Sequence, residues 1–160
     1  MNIRVGFGFD VHQLKEGENL VIGGISIPHY KGTVAHSDGD VLIHAICDAL
    51  LGAAGLRDIG YHFPDTSNEF RNIDSKILLA KTIQLLELKG YQVGNVDATL
   101  ALQKPKIKDH IENMKLTLSK ILKINPEDIS IKATTTEKLG FEGREEGTSA
   151  YAVALIYRNL

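Results

Sequence analysis

An aspartate and a histidine two positions apart are the first residues of the chain whose types and spacing suit chemistry. Asp10 and His12 stand at the end of an apolar run, separated by Val11. The two-residue repeat of a β-strand puts both polar side chains on one face. A carboxylate beside an imidazole is half of a metal site. The alternative is a strand-end aspartate that hydrogen-bonds a surface histidine.

A second histidine lies in a helical pattern of apolar residues. His44 has Asp40 one turn before it and Asp48 one turn after it, so these side chains share a stripe. Such a carboxylate can fix the tautomer of a metal-bound histidine, although a helical histidine without a metal is also common. Asp10, His12 and His44 would together offer two nitrogens and one oxygen and leave one position open, as catalytic zinc sites do.

Two segments carry groups that suit phosphate. His36 and Ser37 precede the first predicted helix, where unpaired backbone N–H groups attract anions; in the alternative, Ser37 and Asp38 form an ordinary helix cap. Residues 132–144 combine threonines, lysines, an arginine and glycines, which can hold phosphate oxygens or form a solvated rim. Among them, Glu137 is a single carboxylate of the kind that Mg²⁺ uses beside phosphates.

Two loops complete the set of candidate residues. Residues 58–65 are rich in turn formers, and the carboxylates of Asp58 and Asp65 could accept hydrogen bonds from a polyol. Lys104 and Lys106 bring positive charge to the chain just before the third predicted helix. Neither loop is specific by itself.

The elements that must position these groups alternate along the chain. Apolar patterns predict strands over 3–11, 19–27, 93–102, 129–135 and 149–157, of which the first two form a hairpin. Helical patterns with their caps predict helices over 37–52 or 37–55, 74–90 and 107–122, and residues 56–72 read as a loop. This alternation predicts an α/β fold, an α+β sandwich with helices packed on one face of a mixed sheet.

Length and composition exclude several classes of protein. With 160 residues, 43% of them hydrophobic, the chain has the length of a single domain, 1–160. A net charge of −2, from 18 basic and 20 acidic residues, argues against a nucleic-acid partner. The apolar runs are too short for a membrane span. The single cysteine, Cys47, and a strand pattern that starts directly after Met1 predict a cytoplasmic protein, or a mature form that has lost a leader.

The order of the motifs is more specific than any one of them. Along the chain they are RVGFGFDVH at 4–12, AHSDGD at 35–40 followed by His44, DIG at 58–60, FPD at 63–65, Pro105-Lys106, KATTTE at 132–137, GF at 140–141 and GR at 143–144. In this order they closely resemble the 2-C-methyl-D-erythritol 2,4-cyclodiphosphate synthase family. The likeness covers nearly the whole chain, and the chain starts and stops like the single-function members.

The resemblance implies an activity and an assembly. Members of this family act in the non-mevalonate route to isoprenoids, as homotrimers with active sites between neighbouring subunits. The 2-phosphate of 4-diphosphocytidyl-2-C-methyl-D-erythritol 2-phosphate attacks the β-phosphorus, which forms the 2,4-cyclodiphosphate and releases CMP. Two cations and oriented donors can neutralise the charge of such a reaction, and the sequence offers no obvious covalent nucleophile.

The resemblance also assigns roles to residues. Asp10, His12 and His44 match the ligands of one zinc ion per chain, and Glu137 matches the carboxylate near a second metal, Mg²⁺ or Mn²⁺. His36 and Thr135 match the residues that stabilise the transition state. The positions that match substrate contacts are Asp10, His12, His36, Ser37, Asp58, Ile59, Gly60, Phe63, Asp65, Leu102, Pro105, Lys106, Ile107, Lys108, Ala133, Thr134, Thr135, Thr136, Glu137, Phe141 and Arg144. Of these, 102–108 and 133–135 match a cytidine pocket that the adjacent subunit supplies.

Other positions match a possible ligand channel or depart from the family pattern. Phe141 and Arg144 match the lining of a central channel that can hold an isoprenoid diphosphate. Lys104 replaces a small residue of the family pattern, and Glu142 and Glu145 make the surroundings of Arg144 more acidic. Two alternatives stay open: a zinc-dependent phosphodiesterase or phosphatase with a similar ligand set, and a non-catalytic trimer that binds isoprenoid diphosphates through Arg144.

Overall fold

A five-stranded mixed sheet is the centre of the computed structural model, which describes residues 2–158. Its strands are β1 (Asn2–Glu16), β4 (Lys31–Val34), β5 (Gln92–Ala101), β6 (Ile129–Thr134) and β7 (Gly147–Arg158). Across the sheet the order is β4-β1-β7-β5-β6, and only the β5–β6 pair is parallel. Two short strands, β2 (Leu20–Ile22) and β3 (Ile25–Ile27), form a separate hairpin.

Three long helices lie between the strands in the chain. They are α1 (Val41–Ala53), α3 (Ser75–Leu88) and α4 (Ile111–Leu122), and the short helices are α2 (Ile59–His62) and α5 (Gly140–Gly143). Single 3₁₀ turns occur at Asn68–Phe70, Lys108–His110 and Pro126–Asp128. Among the helices within residues 2–158, none is long and apolar enough to cross a membrane.

The long helices cover one face of the sheet. Helix α1 packs against β1, β7 and β5, and α4 packs against β6 and α3. Two glycines of β1 make the contact with α1 unusually close. A Cβ atom on Gly8 would lie 1.9 Å from the carbonyl oxygen of Ala45, and one on Gly6 would lie 1.9 Å from that of Ala49. Only glycine permits this approach, which brings the middle of α1 down onto the strand.

The opposite face of the sheet is apolar but uncovered. Alternation along β1 and β7 turns a set of large side chains away from the helices, each between 40% and 64% exposed: Ile3, Val5, Phe7, Phe9, Val11, Tyr151 and Val153. A contiguous apolar patch of this kind is uncommon on a monomeric protein and marks an interaction surface. We call these residues the bare sheet face.

The predicted fold class and the predicted strands of the main sheet are confirmed, and some details are wrong. The first two predicted strands do not pair: β1 pairs with β4 and β7, while the second run folds on itself at Gly23 and Gly24, whose positive φ angles suit a tight turn. Helix α1 begins at Val41 rather than near Ser37, since Asp40 is its N-cap. The predicted loop 56–72 contains α2 and a 3₁₀ turn, and the third predicted helix begins at Ile111.

Candidate active site

The strand and helix place the three predicted metal ligands at one point. Oδ2 of Asp10 lies 3.0 Å from Nε2 of His12 and 3.0 Å from Nδ1 of His44, and those two nitrogens are 3.0 Å apart. The atoms form a small triangle, of the size that three ligands of one tetrahedral ion make with bonds of about 2.0–2.1 Å. Two neutral imidazoles and one carboxylate fit a divalent cation such as zinc.

Alternation along β1 explains why both of its polar groups meet the helix. Asp10 and His12 point to the face that α1 covers, whereas Val11 between them belongs to the bare sheet face. His44 is only 8% exposed and approaches from α1, because Gly8 lets that helix lie directly on the strand. The tripeptide and the helical histidine thus form one cluster.

The charges within the triad reinforce one another. Burial opposes ionisation of Asp10, but hydrogen bonds from His12 and His44 outweigh it and lower the pKa of the carboxyl to about 2. Burial also opposes protonation of His44, and the hydrogen bond to Asp10 outweighs this as well, so that its pKa is raised. The three side chains therefore favour a positive charge between them, as a bound metal cation would supply.

The carboxylates expected to orient His44 do something else. Asp40 is fully buried and accepts hydrogen bonds from the backbone N–H groups of Gly23, Gly24 and Ile43, and Asp48 accepts one from the N–H of Ile59. Burial raises the pKa of Asp40 to about 6, and the backbone donors oppose this rise. Asp40 therefore ties the β2–β3 hairpin to α1, and it acts on the His44 ring through its charge rather than through a hydrogen bond.

The partner of His44 is instead a serine of another helix. Nε2 of His44 lies 2.9 Å from Oγ of Ser75, at the start of α3, and 3.2 Å from Oγ of Ser37. Sequence reasoning missed Ser75. Its only signal was a position at the start of a predicted helix, which says nothing of a contact 31 residues away.

The triad opens into a cavity of about 420 Å³, a size typical of small-molecule sites. Its predicted members are Asp10, His12, His36, Ser37, His44, Ile59, Gly60, Phe63 and Asp65. The ring of His36 lies against the 56–72 loop, with Nε2 3.0 Å from the backbone oxygen of Ser67. Asp58 accepts a hydrogen bond from Tyr61 N–H and so caps the short helix that carries Ile59 and Gly60. Phe70, Ile73 and Leu78 also line the cavity, although nothing in their spacing indicated it.

The expectation that residues 35–38 stand at the N-terminus of the first helix is wrong, and so is the alternative that Ser37 and Asp38 cap it. The helix begins at Val41, four positions beyond Ser37, and the side chain of Asp40 already bonds the free N–H of Ile43. His36 and Ser37 reach the cavity through the loop before the helix rather than through its dipole. His36 and Ser37 can therefore contact an anion through their side chains, and not through unpaired backbone N–H groups.

A second cavity of about 330 Å³ collects most residues of the predicted cytidine pocket. Its members within the predicted stretches 102–108 and 133–135 are Leu102, Gln103, Pro105, Lys106, Ile107, Lys108, Ala133, Thr134 and Thr135, joined by Ile111. No described residue lines both this cavity and the one at the triad. Thr136, Glu137, Phe141 and Arg144 line neither of them.

The turn after β6 places Thr135 beside Glu137. The hydroxyl of Thr135 lies 3.4 Å from Oε1 of Glu137, and the carboxylate is exposed. Glu137 and Lys138 both have left-handed backbone conformations, with φ of 54° and 63°. Such conformations cost about 1–2 kcal/mol per residue and are found where a site needs a fixed side-chain direction.

The unusual charges around Arg144 pair with one another. Lys104 lies 3.2 Å from Oε1 of Glu145, whose other oxygen accepts from the hydroxyl of Tyr30. Lys104 and Glu145, which both depart from the family pattern, therefore contact each other. Glu142 accepts a hydrogen bond from Ser149.

Arg144 itself donates through Nε and Nη2 to both carboxylate oxygens of Glu146, at 3.1 and 3.0 Å. This bond lowers the pKa of Glu146 and raises that of Arg144. An anion that binds Arg144 must compete with Glu146.

A larger cavity lies far from the triad. It measures about 580 Å³ between the C-terminal ends of α3 and α4 and the start of β5, where Glu87 and Lys123 form an ion pair. No metal-ligand triad was found there among residues 2–158. Convergent donors, rather than volume, identify the triad cavity as the candidate site.

Comparisons with known proteins agree with this placement. Residues 3–157 match the model of the YgbB family. A protein of Bacteroides fragilis named 2-C-methyl-D-erythritol 2,4-cyclodiphosphate synthase is 65% identical over 158 residues, which cover 99% of each chain. The bifunctional IspDF of Campylobacter jejuni has a TM-score of 0.95 at 41% identity, covering 99% of this chain and 43% of its own.

A structure of IspF from Plasmodium falciparum in complex with CDP gives a TM-score of 0.86 at 36% identity, covering 99% of this chain and 98% of its own. The match to the family model spans residues 3–157, a range that contains the triad and the lining of both cavities. The resemblance carried by the motifs is confirmed, and the chain belongs to the YgbB family.

Proposed function

We propose that this chain converts 4-diphosphocytidyl-2-C-methyl-D-erythritol 2-phosphate to 2-C-methyl-D-erythritol 2,4-cyclodiphosphate and CMP. The whole chain, 1–160, acts as one domain in this phosphorus–oxygen lyase reaction of isoprenoid precursor synthesis. The observation that carries the proposal is the meeting of Asp10, His12 and His44 at a cavity, in a chain 65% identical to a synthase of that name. A second cavity of the right size supports a nucleotide.

Asp10, His12 and His44 hold one zinc ion per chain in this proposal. Their two nitrogens and one oxygen, about one zinc-ligand spacing apart, support that choice of metal. When bound, the ion supplies Lewis-acid polarisation and a template for phosphate oxygens. Glu137, exposed and next to Thr135, holds the second cation, Mg²⁺ or Mn²⁺, together with phosphate oxygens and water.

The remaining cavity residues orient the reacting phosphates. An oxygen of the 2-phosphate forms a bond to the β-phosphorus, and the bond from that phosphorus to the bridging oxygen of CMP breaks. His36 and Ser37 contribute side-chain donors beside the triad, and Thr135 contributes a hydroxyl. All three side chains can stabilise charge on the transferring group. Asp58, Ile59 and Gly60, with Phe63 and Asp65, hold the methylerythritol part.

We further propose that the active protein is a homotrimer whose sites lie between subunits. The triad cavity and the predicted cytidine cavity share no described residue within one chain, which supports a site that two chains complete. The bare sheet face supplies an apolar surface for this contact.

Phe141 and Arg144 face an axial channel in that assembly, where an isoprenoid diphosphate binds. The protein works in the cytoplasm, a compartment in which its buried free cysteine, Cys47, remains reduced.

Product analysis tests the reaction directly. The protein is incubated with the diphosphocytidyl substrate, zinc and Mg²⁺, and the products are separated by liquid chromatography and identified by mass spectrometry. We expect CMP and the cyclic diphosphate in equal amounts. A phosphodiesterase would give an open-chain bisphosphate, and a binding trimer would give no product. The variant Asp10→Ala is the control for contaminating activity.

A further inference from the structure

We infer that Ser75 and Asp38 are positioning residues that orient the His44 ring and accept its Nε2 proton, so that Nδ1 can bind the metal. The inference rests on the metal centre proposed above and extends it to residues outside the ligand triad. Nδ1 of His44 faces Asp10 and His12, whereas Nε2 faces Oγ of Ser75 at 2.9 Å. A neutral imidazole has one proton, so the group opposite Nε2 decides which nitrogen can be a ligand.

The direction of the hydrogen bonds follows from the donors available. The hydroxyl of Ser75 donates its single proton to Oδ1 of Asp38, an oxygen that as part of a carboxylate only accepts. Oγ of Ser75 therefore turns a lone pair to Nε2 of His44. If Nε2 lacked a proton, two lone pairs would face each other at 2.9 Å. When a cation takes the place of the Nδ1 proton that Asp10 otherwise accepts, the ring keeps its proton on Nε2, where Oγ of Ser75 accepts it.

Both carboxylate oxygens of Asp38 accept hydrogen bonds from backbone N–H groups. Its Oδ2 receives the backbone N–H of Ser75 at 3.0 Å, and its Oδ1 also receives the N–H of Asp40 at 3.2 Å. The N–H of Asp38 donates to the carbonyl of Ile73 at 3.0 Å. These bonds join the segment before α1 to the first turn of α3, so the serine and the carboxylate move as one unit.

The burial of Ser75 prevents water from taking over its hydrogen bonds to His44 and Asp38. Ser75 is 0% exposed, so water does not reach its hydroxyl in the folded chain. Oγ of Ser37 is the other group near Nε2, but it is farther away, at 3.2 Å, and it already accepts the N–H of Gly39. Ser75 is thus the shorter contact and the one with a fixed direction. Outer partners of metal-bound histidines typically change metal affinity by 10–100-fold when removed.

The test measures the tautomer and the metal affinity separately. Side-chain ¹⁵N correlation spectra of the zinc-loaded protein report which nitrogen of His44 binds zinc and which one keeps its proton. Zinc dissociation constants come from competition with a chromophoric chelator. The first variant, Ser75→Ala, removes the hydroxyl that accepts from Nε2 of His44. In the second, Asp38→Asn, the new amide can donate to Oγ of Ser75, which reverses the hydrogen bond between these two side chains. Circular dichroism checks folding.

The matched control is Ser119→Ala. Ser119 is also a buried helical serine, at 7% exposed, but its hydroxyl donates only to the carbonyl of Leu116 in its own helix. We expect the wild type and Ser119→Ala to show the Nε2-protonated tautomer. Ser75→Ala and Asp38→Asn should mix the two tautomers and weaken zinc binding by about 10-fold or more.

Two other outcomes overturn the inference in different ways. If the wild type binds zinc and Ser75→Ala keeps both the tautomer and the affinity, the positioning role is wrong while the metal centre stands. If the wild type itself binds no zinc, the proposed metal centre is wrong and the inference falls with it. The wild-type titration therefore separates failure of the inference from failure of the proposed function.

Discussion

Nδ1 of His44 lies 3.0 Å from Oδ2 of Asp10, although 34 residues separate them in the chain. The helix that carries His44 reaches this distance because it rests on a glycine of β1. Gly8, two positions before Asp10, leaves no room for a side chain under Ala45, the neighbour of His44. The metal site therefore depends on one of the two close glycine contacts between β1 and α1.

Replacing that glycine should damage both stability and metal binding. In Gly8→Ala the new Cβ atom would lie 1.9 Å from the carbonyl oxygen of Ala45, so α1 must move away from β1. We expect a loss of about 3 kcal/mol in the free energy of unfolding, since a backbone clash exceeds ordinary overpacking. Zinc affinity should fall as well, because His44 moves with α1. Urea unfolding and chelator competition measure the two effects.

Gly52→Ala is the matched control on the same helix. A Cβ atom there has its nearest neighbour, the carbonyl oxygen of Phe7, at 4.0 Å. Removing a glycine from a helix gains up to about 1 kcal/mol, so this variant should be as stable as the wild type or more stable. If Gly8→Ala behaves like Gly52→Ala, the close contact does not determine the site.

The pH dependence of stability should reverse its sign when zinc is added. In metal-free protein the Asp10–His44 interaction raises the pKa of His44 above 6.5 and lowers that of Asp10 from 3.8 to about 2. Its stabilisation is complete between pH 3.8 and 6.5, and it is lost as the pH rises through the raised pKa of His44 or falls through about 2. Zinc binds only the deprotonated ligands, so its stabilisation grows as the pH rises.

Thermal unfolding across this range measures the effect. We expect the melting temperature of metal-free protein to fall from pH 6.5 upwards relative to Asp10→Asn, which removes the charge that shifts His44. With saturating zinc the melting temperature should instead rise over the same interval. Parallel curves with and without zinc would show that protons and metal do not compete at this site.

The bare sheet face should hold the trimer together. Phe7 is 64% exposed in the single chain, and Phe7→Glu would bury a charge in the proposed interface. We expect this variant to sediment as a monomer and to lose turnover, because the second cavity then has no partner. It should still bind zinc, since the triad lies within one chain. Analytical ultracentrifugation and zinc analysis measure both.

Leu88→Glu is the control for this surface. Leu88 is the more exposed side chain, at 84%, but it ends α3 and lies outside the bare sheet face. We expect it to remain trimeric. A monomeric wild type, or a trimeric Phe7→Glu, would contradict the proposed assembly.

Glu146 should restrain the proposed channel ligand. It occupies Nε and Nη2 of Arg144, so a diphosphate that binds the guanidinium must displace this exposed and weak ion pair. Glu146→Gln should therefore bind geranyl diphosphate up to about 5-fold more tightly, measured by calorimetry. Adding Arg144→Ala should abolish the gain. If the gain persists in the double variant, the diphosphate binds elsewhere.

Local patterns were sufficient for much of the fold. The alternation of β1 correctly places Asp10 and His12 on one face, because side-chain direction in a strand depends only on parity. The helical stripe correctly predicts α1. The false hairpin shows the limit: strand partners depend on contacts distant in sequence, and β1 pairs with β7, which closes the chain.

The partners of the site were harder to predict for the same reason. Asp40 and Asp48 lie one turn from His44, but their hydrogen bonds go to Gly23, Gly24, Ile43 and Ile59. Ser75 bonds the ring from another helix, a contact that no local period encodes. The pairing of Lys104 with Glu145 likewise becomes visible only in three dimensions.

The metal content of purified protein tests the central claim most directly. Inductively coupled plasma mass spectrometry after exposure to zinc and removal of excess metal should find about one zinc per chain in the wild type. Asp10→Ala and His44→Ala should fold and hold almost none, since each loses one of only three protein ligands. A folded wild type without zinc, or full zinc content in either variant, would contradict the account.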